Sequence, residues 1–168
     1  EINRDLAYET AKKAKQDGVS QFIFLSSMSV YGLENGLIDN QTKLNPNTAY
    51  GKSKIEAEEL IKPLEDETFK IAILRPPMVY GKGCKGNYQR LAKLALKTPL
   101  FPNIDNKRSM IYIDNLSEFT KKIIDNQSRG LYFPQNTEYI NTSDMVSKIA
   151  EQHNKKIVLA KLFNPMLK

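Results

Sequence analysis

The sequence predicts an α/β chain built on a parallel sheet. Two apolar runs, Gln21 to Leu25 and Lys70 to Leu74, are short and rich in β-branched and aromatic residues, as in strands buried on both faces. Segments with helical spacing of apolar residues stand before, between and after them. Strands that alternate with helices are joined by crossovers, and crossovers join parallel strands.

The elements follow in order. Residues 3 to 17 read as an amphipathic helix with Leu6, Ala7, Ala11 and Ala14 apolar, closed by Asp17-Gly18. After the first strand, Glu34 to Asn47 is polar, with Gly36, Asn40 and Pro46, and reads as a loop. A helix runs from Thr48 to Ile61, its apolar set Ile55, Ala57, Leu60 and Ile61. Pro76-Pro77 stops the second strand. Tyr88 to Lys97 is helical, Pro99 to Asn106 a loop and Ser109 to Ile113 strand-like. Asp114 caps a helix to Asn126. Gly130 to Pro134 is extended. Asn141-Thr142-Ser143 opens a helix to His153, with Thr142 as cap, and Ile157 to Ala160 is a last strand. No repeat or low-complexity tract interrupts this order.

Composition narrows the classes. A chain of 168 residues, 40% hydrophobic and 26% charged, can bury one core. No apolar run approaches the ~20 residues a spanning helix needs, so no membrane partner is expected. Cys84 is the single cysteine, which excludes an intramolecular disulfide and suits a reducing cytoplasm. The single histidine, His153, is far from Cys84 in a polar helix, against a Cys-His nucleophile. No metal site is expected. The net charge is +6, with Lys82, Lys85, Arg90, Lys93 and Lys97 in one stretch. That stretch reads as a solvated helix face or as a weak field for a diphosphate. Without an aromatic platform or a nucleic-acid motif, nucleic acid is not an expected partner.

The chemistry concentrates in Tyr50-Gly51-Lys52-Ser53-Lys54 and in Ser26-Ser27, where the first strand ends. A tyrosine and a lysine at i and i+4 share one helix face. An ammonium beside a phenol favours the phenolate, which can exchange a proton with an alcohol. A serine at the strand tip can hold the same oxygen. Ser26 and Ser27 face opposite ways if the strand continues through both. The plain alternatives are a core tyrosine, a surface lysine and serines that satisfy backbone groups.

Four segments carry a family resemblance. They are Phe22-Ile23-Phe24-Leu25-Ser26-Ser27-Met28-Ser29-Val30-Tyr31-Gly32, Ala49-Tyr50-Gly51-Lys52-Ser53-Lys54, Leu74-Arg75-Pro76-Pro77-Met78-Val79-Tyr80-Gly81-Lys82-Gly83 and Arg108-Ser109-Met110-Ile111-Tyr112-Ile113-Asp114. In this order and spacing they resemble the extended short-chain dehydrogenase/reductases, within them the UDP-sugar 4-epimerases and related NAD-dependent epimerase/dehydratases. The resemblance implies a Rossmann-like parallel sheet with flanking helices, partial here, plus a small C-terminal substrate-binding portion. Residues 1–81 would be the C-terminal half of the NAD-binding domain, and 82–168 mostly the substrate portion with segments returning to the core.

The same resemblance implies the roles. Ser27, Tyr50 and Lys54 are catalytic; Ser26, Tyr50, Lys54 and Pro77 line NAD. Asn87 and Arg108 hold the pyrophosphate of a UDP-sugar, and Leu100 and Phe101 flank its uracil. Tyr50 would take the proton of the sugar 4-hydroxyl while hydride passes from C4 to NAD. The 4-keto sugar would turn over and take the hydride back on its other face, with no net redox change. The setting would be surface-polysaccharide or other glycan precursor synthesis, and the assembly a homodimer. Met28 and Ser29 stand where the dehydratase branch carries Asp and Glu, which points to epimerisation or plain oxidoreduction rather than loss of water. Met78 and Tyr112 stand where many 4-epimerases have Asn and where many members have His, which leaves the sugar nucleotide open. The alternatives are an NAD(P)-dependent 4-keto-sugar reductase or dehydrogenase, and a non-catalytic dinucleotide-binding scaffold.

No G-x-G-x-x-G turn occurs; Gly81, Gly83 and Gly86 are wrongly spaced and follow the later strand. With Glu1-Ile2-Asn3 at its start and Asn164-Pro165-Met166-Leu167-Lys168 at its end, the chain reads as a piece of a longer protein. On that reading it binds NAD weakly by itself, leaves a sheet edge open to self-association and does not reveal NAD or NADP.

Overall fold

The computed structural model describes residues 2–33, 36–39, 41–84, 87–103 and 105–160. The expectations that involve Glu1, Glu34, Asn40, Lys85, Gly86 and Asn164 to Lys168 lie outside the described residues. In chain order the elements are α1 (Ile2–Gln16), β1 (Gln21–Leu25), α2 (Ala49–Ile61), β2 (Lys70–Leu74), β3 (Met78–Tyr80), α3 (Asn87–Lys97), β4 (Leu100–Pro102), β5 (Met110–Tyr112), α4 (Ile113–Asp125), β6 (Gly130–Tyr132), α5 (Thr142–Gln152) and β7 (Val158–Ala160). They form two compact units, one of Glu1–Pro77 and Leu116–Pro134, the other of Met78–Asn115 and Gln135–Lys168.

The first unit is a parallel sheet in the order β1-β2-β6 with helices packed on it. Gln21 pairs with Lys70, Leu25 with Leu74, and Leu74 with Tyr132. The pairing continues past the strand ends, where Ser26 N–H donates to Leu74 O at 2.7 Å and Arg75 N–H to Tyr132 O at 2.9 Å. Ile71 and Ile73 face a cluster with Ala11, Phe24, Ala57 and Ile61. Ala72 and Leu74 face the opposite cluster with Ile123, Phe119 and Tyr132. Burial on both faces is why β2 is apolar at consecutive positions and does not alternate. Cutting Ile73 back to Ala at such a site costs about 2–5 kcal/mol.

The second unit holds two short parallel pairs, β3 with β5 and β4 with β7. Its core is Ala95, Phe101, Met110, Met145, Val146 and Ile149. The Tyr80 ring stands 5.7 Å from Tyr88 and 5.5 Å from Tyr112. Asn136 ties this cluster together, donating from its backbone to Met110 O at 2.8 Å and from Nδ2 to the Tyr80 hydroxyl at 3.0 Å.

Three local expectations are corrected. The loop expected over Pro99 to Asn106 contains β4, which pairs with β7 far along the chain. Pro76-Pro77 ends β2 as expected, and Met78–Tyr80, a strand the sequence did not indicate, at once takes a new partner in β5. Asp114 is not a cap: α4 begins at Ile113, and Asp114 lies in its first turn, where a negative charge suits the helix dipole. The cap of α5 is Asn141, whose side-chain oxygen accepts from Ser143 N–H at 2.8 Å and Asp144 N–H at 3.3 Å. Thr142 is instead held by Asn106, which donates to its hydroxyl at 3.0 Å.

Candidate active site

The first unit brings the expected catalytic residues to the carboxyl ends of parallel strands, where open α/β sheets bind ligands. Ser27 follows β1 in extended backbone and caps a 3-10 turn over Met28–Tyr31. Its Oγ accepts from Ser29 N–H at 3.2 Å and from Ser29 Oγ at 3.0 Å. Its own proton remains available to a ligand oxygen. Gly32 closes the turn at φ 62°, and a Cβ there would lie 1.9 Å from Asn45 O. Only glycine meets both conditions.

Thr48 caps α2, its hydroxyl accepting from Gly51 N–H at 3.0 Å. The cap sets Tyr50 in the first turn, half exposed at 50%. A Cβ at Gly51 would come within 2.6 Å of Ser29 O, so the start of α2 rests on the Ser27 turn itself. One helical turn later, Lys54 Nζ donates to Leu25 O at 2.8 Å and stands 5.7 Å from the Tyr50 ring centroid. Burial pulls the Lys54 pKa below the usual lysine value, and the charge of Glu58 opposes the fall. Lys54 Nζ also stands 4.8 Å from the Phe24 ring centroid, and among the described residues Leu25 O is its hydrogen-bond acceptor. Pro77 is half-buried and ends the first segment of this unit.

Ser26 does not present its side chain to a cofactor. It is 4% exposed, and its hydroxyl donates to Glu58 Oε1 at 2.5 Å. The same carboxylate receives Arg75, with Nε to Oε1 at 2.9 Å and Nη2 to Oε2 at 2.5 Å. Arg75 Nη1 donates to the Tyr31 hydroxyl at 2.8 Å. Burial alone would push Glu58 up, but the hydrogen bonds from Arg75 and Ser26 and the charges of Arg75 and Lys62 outweigh it and hold Glu58 below the ordinary glutamate value.

Asn87, Leu100, Phe101 and Arg108 belong to the second unit. Asn87 is the exposed first residue of α3. Arg108 is exposed, and its backbone pairs both ways with Ile140 at 2.9 and 3.0 Å. No described residue holds its guanidinium. Leu100 is 42% exposed, but Phe101 is 6% exposed and its ring belongs to the core with Met110 and Met145. Leu100, not Phe101, therefore has side-chain surface to offer a base. A cleft of about 290 Å³ in this unit is lined by Tyr80, Tyr88, Met110, Asn136 and Met145 among others, and none of the four expected contacts lines it. The Tyr112 hydroxyl is pushed above the usual tyrosine pKa by the charge of Asp114 and a hydrogen bond to it.

Sequence reasoning missed Glu58 and Arg75 as parts of the site. Signals existed. Glu58 follows Lys54 by four residues on the same helix face, and an arginine at the end of an apolar strand needs a buried partner.

A family model described as the NAD dependent epimerase/dehydratase family matches residues 1–133. The chain belongs to this family. Among epimerases of the family, the UDP-glucose 4-epimerase of Vibrio cholerae is 34% identical over 160 residues, which cover 89% of this chain and 48% of that protein. The N-acetyl-alpha-D-glucosaminyl-diphospho-ditrans,octacis-undecaprenol 4-epimerase of Escherichia coli O157:H7 is 31% identical over 150 residues, 85% of this chain and 45% of that protein. The chain thus spans about half the length of the curated relatives it matches. The fold is shared with a UDP-glucuronic acid 4-epimerase of Bacillus cereus in complex with NAD, at TM-score 0.78 and 22% identity over 95% of this chain and 56% of that one. Among the described residues no helix is long and apolar enough to cross a membrane.

The residues present fit the nicotinamide side of the cofactor in the family's name. Tyr50 is half exposed, and the Lys54 ammonium, with three donors, stands at the end of β1. The glycine-rich turn that holds a dinucleotide pyrophosphate is not in this sequence.

Proposed function

We propose that the protein to which this chain belongs is an NAD-dependent sugar-nucleotide 4-epimerase acting on a UDP-sugar. What supports the reading is that Lys54, 5.7 Å from the Tyr50 ring centroid, donates to Leu25 O at the end of the strand that Ser27 follows, in a chain similar to two 4-epimerases. NAD, when bound, supplies a reversible two-electron acceptor. The chain's own residues do the rest. Tyr50 takes the proton of the sugar 4-hydroxyl through its own oxygen and later returns it. Ser27 Oγ donates a hydrogen bond to the same sugar oxygen. Lys54 places its charge beside Tyr50 and binds the cofactor ribose hydroxyls; Pro77 and the backbone at Ser26 line the cofactor.

Asn87 and the guanidinium of Arg108 hold the diphosphate, for which Arg is suited by its fork of donors. Leu100 flanks the base, and Phe101 supports it from the core. In this reading the first unit carries the cofactor half and the second the substrate portion. Met28 and Ser29 offer no acid or base for removing water, so 4,6-dehydration is not proposed. We place the enzyme in the cytoplasm as a homodimer.

The test is incubation of the full-length protein with UDP-galactose or its N-acetyl analogue, followed by NMR of the anomeric region. The expected outcome is the 4-epimer without stoichiometric NAD. A rise in NADH absorbance that tracks product assigns a dehydrogenase instead. A 4-keto-6-deoxy product assigns a dehydratase. Conversion only of a sugar on a polyprenyl diphosphate assigns a different carrier.

A further inference from the structure

We propose that Glu58 is a positioning residue that holds the Ser27 turn and the carboxyl ends of β1 and β2 in register with α2. The inference rests on the reading above for which groups react, but its geometry stands without it. Glu58 is 1% exposed, and both of its oxygens are occupied. Oε1 takes Ser26 Oγ and Arg75 Nε; Oε2 takes Arg75 Nη2, with Lys62 Nζ at 3.5 Å.

The network reaches the reactive groups from three sides. Ser26, held by Glu58, lies between Leu25, whose carbonyl accepts Lys54, and Ser27. Tyr31, held by Arg75, is the last residue of the turn that Ser27 caps. The turn is therefore clamped at both ends to one buried ion pair. Arg75 itself leads into Pro76, whose carbonyl accepts from Met28 N–H at 3.2 Å inside the same turn. Glu58 stands on α2 one helical turn beyond Lys54. One carboxylate thus joins the element that carries Tyr50 and Lys54 to the two strand ends that carry Ser27 and Pro77.

A buried ion pair is not by that fact a stabilising device. Apolar residues of similar volume often replace such a pair at no cost. What apolar residues cannot do is fix register through directional bonds. A shift of reacting groups by about 1 Å can cost on the order of 10²-fold in rate.

The test uses the full-length protein and the paired replacement Glu58→Leu/Arg75→Met, which leaves no unpaired buried charge. The expected result is a folded protein whose kcat for UDP-sugar epimerisation falls by about 10-fold or more, with KM within about 3-fold. Amide exchange across Met28 to Tyr31 should speed up by about 10-fold while Phe22 to Phe24 in β1 keep their protection. A kcat within about twofold of wild type overturns the proposal whatever the exchange shows. If the paired variant does not fold, Ser26→Ala/Tyr31→Phe decides by the same measurements, because it leaves the ion pair intact and cuts only the links to the turn. If the wild-type protein turns over no UDP-sugar, the functional reading fails separately. Exchange across the turn then decides alone: faster exchange supports the positioning role and unchanged exchange overturns it.

Discussion

The two units solve the same problem, a polar joint inside a packed structure, with different chemistry. Among the described residues, the first unit buries a carboxylate and a guanidinium, Glu58 and Arg75, beside two serines. The buried polar residues of the second are hydroxyls, Thr142 and Ser143. Its joints are neutral: Asn106 Oδ1 accepts from Thr142 N–H at 2.9 Å, Ser143 Oγ donates to Pro102 O at 3.0 Å, and Asn136 bridges Met110 and Tyr80. A neutral hydrogen bond contributes about 1 kcal/mol net and tolerates imperfect geometry. A buried ion pair is worth having only when its geometry is strict, and breaking it is costly. Strict geometry is found in the unit that carries the proposed reacting groups.

The largest expected effect follows from that contrast. Arg75→Met alone strands a buried carboxylate and should destabilise the protein by about 3–5 kcal/mol in urea unfolding. Asn136→Ala in the second unit should cost about 1–3 kcal/mol. Equal losses for the two would show that the buried ion pair is held no more strictly than the neutral joints. Next is Tyr50→Phe, which removes a half-exposed hydroxyl and leaves the fold intact. Turnover of a UDP-sugar should drop about 10²-fold, or about 2.7 kcal/mol of barrier. Near wild-type turnover would remove Tyr50 from the proton relay.

Arg108→Ala removes an exposed charge from the second unit. It should raise KM by about 10-fold with kcat little changed, since a charge-assisted bond is worth about 1.5–3 kcal/mol and the diphosphate does not react. A fall in kcat with unchanged KM would move Arg108 into the reacting centre. Asn141→Ala should cost about 1 kcal/mol as a lost cap, read as a lower melting temperature with kcat unchanged. The smallest effect is on pH. Because Glu58 is held below its ordinary 4.5, the folded state binds fewer protons there than the unfolded chain. Its contribution is complete above that value and is lost as pH falls through the depressed folded value. Acid unfolding followed by circular dichroism should show a shallower loss of stability below about pH 4.5 for Glu58→Leu/Arg75→Met than for wild type.

Legibility in the sequence followed the range of the cause. β1 and β2 were readable because burial on two faces writes itself as an unbroken apolar run. β3 and β4 were not, because Met78–Tyr80 directly follows Pro76-Pro77 and Leu100–Pro102 lies in a stretch punctuated by Pro99 and Pro102, so the local signals read as a break and a loop. Asn141 and Thr142 are both good caps by residue type, and Asn106 settles the choice by occupying Thr142. Ser27, Tyr50 and Lys54 could be named from spacing and resemblance. That Ser26 turns inward, that Phe101 is core, and that Glu58 and Arg75 clamp the turn could not.

By itself the sequence determined the α/β class, the two buried strands, the helix that bears Tyr50 and Lys54, and the family to which the chain belongs. Each of these rests on local spacing or on motifs contiguous in the chain. The tertiary structure set which serine meets Glu58, which aromatic residue is core and which segments pair as short strands. Those outcomes depend on groups from separate elements that compete for one buried site, and such competition exists only once the chain is packed.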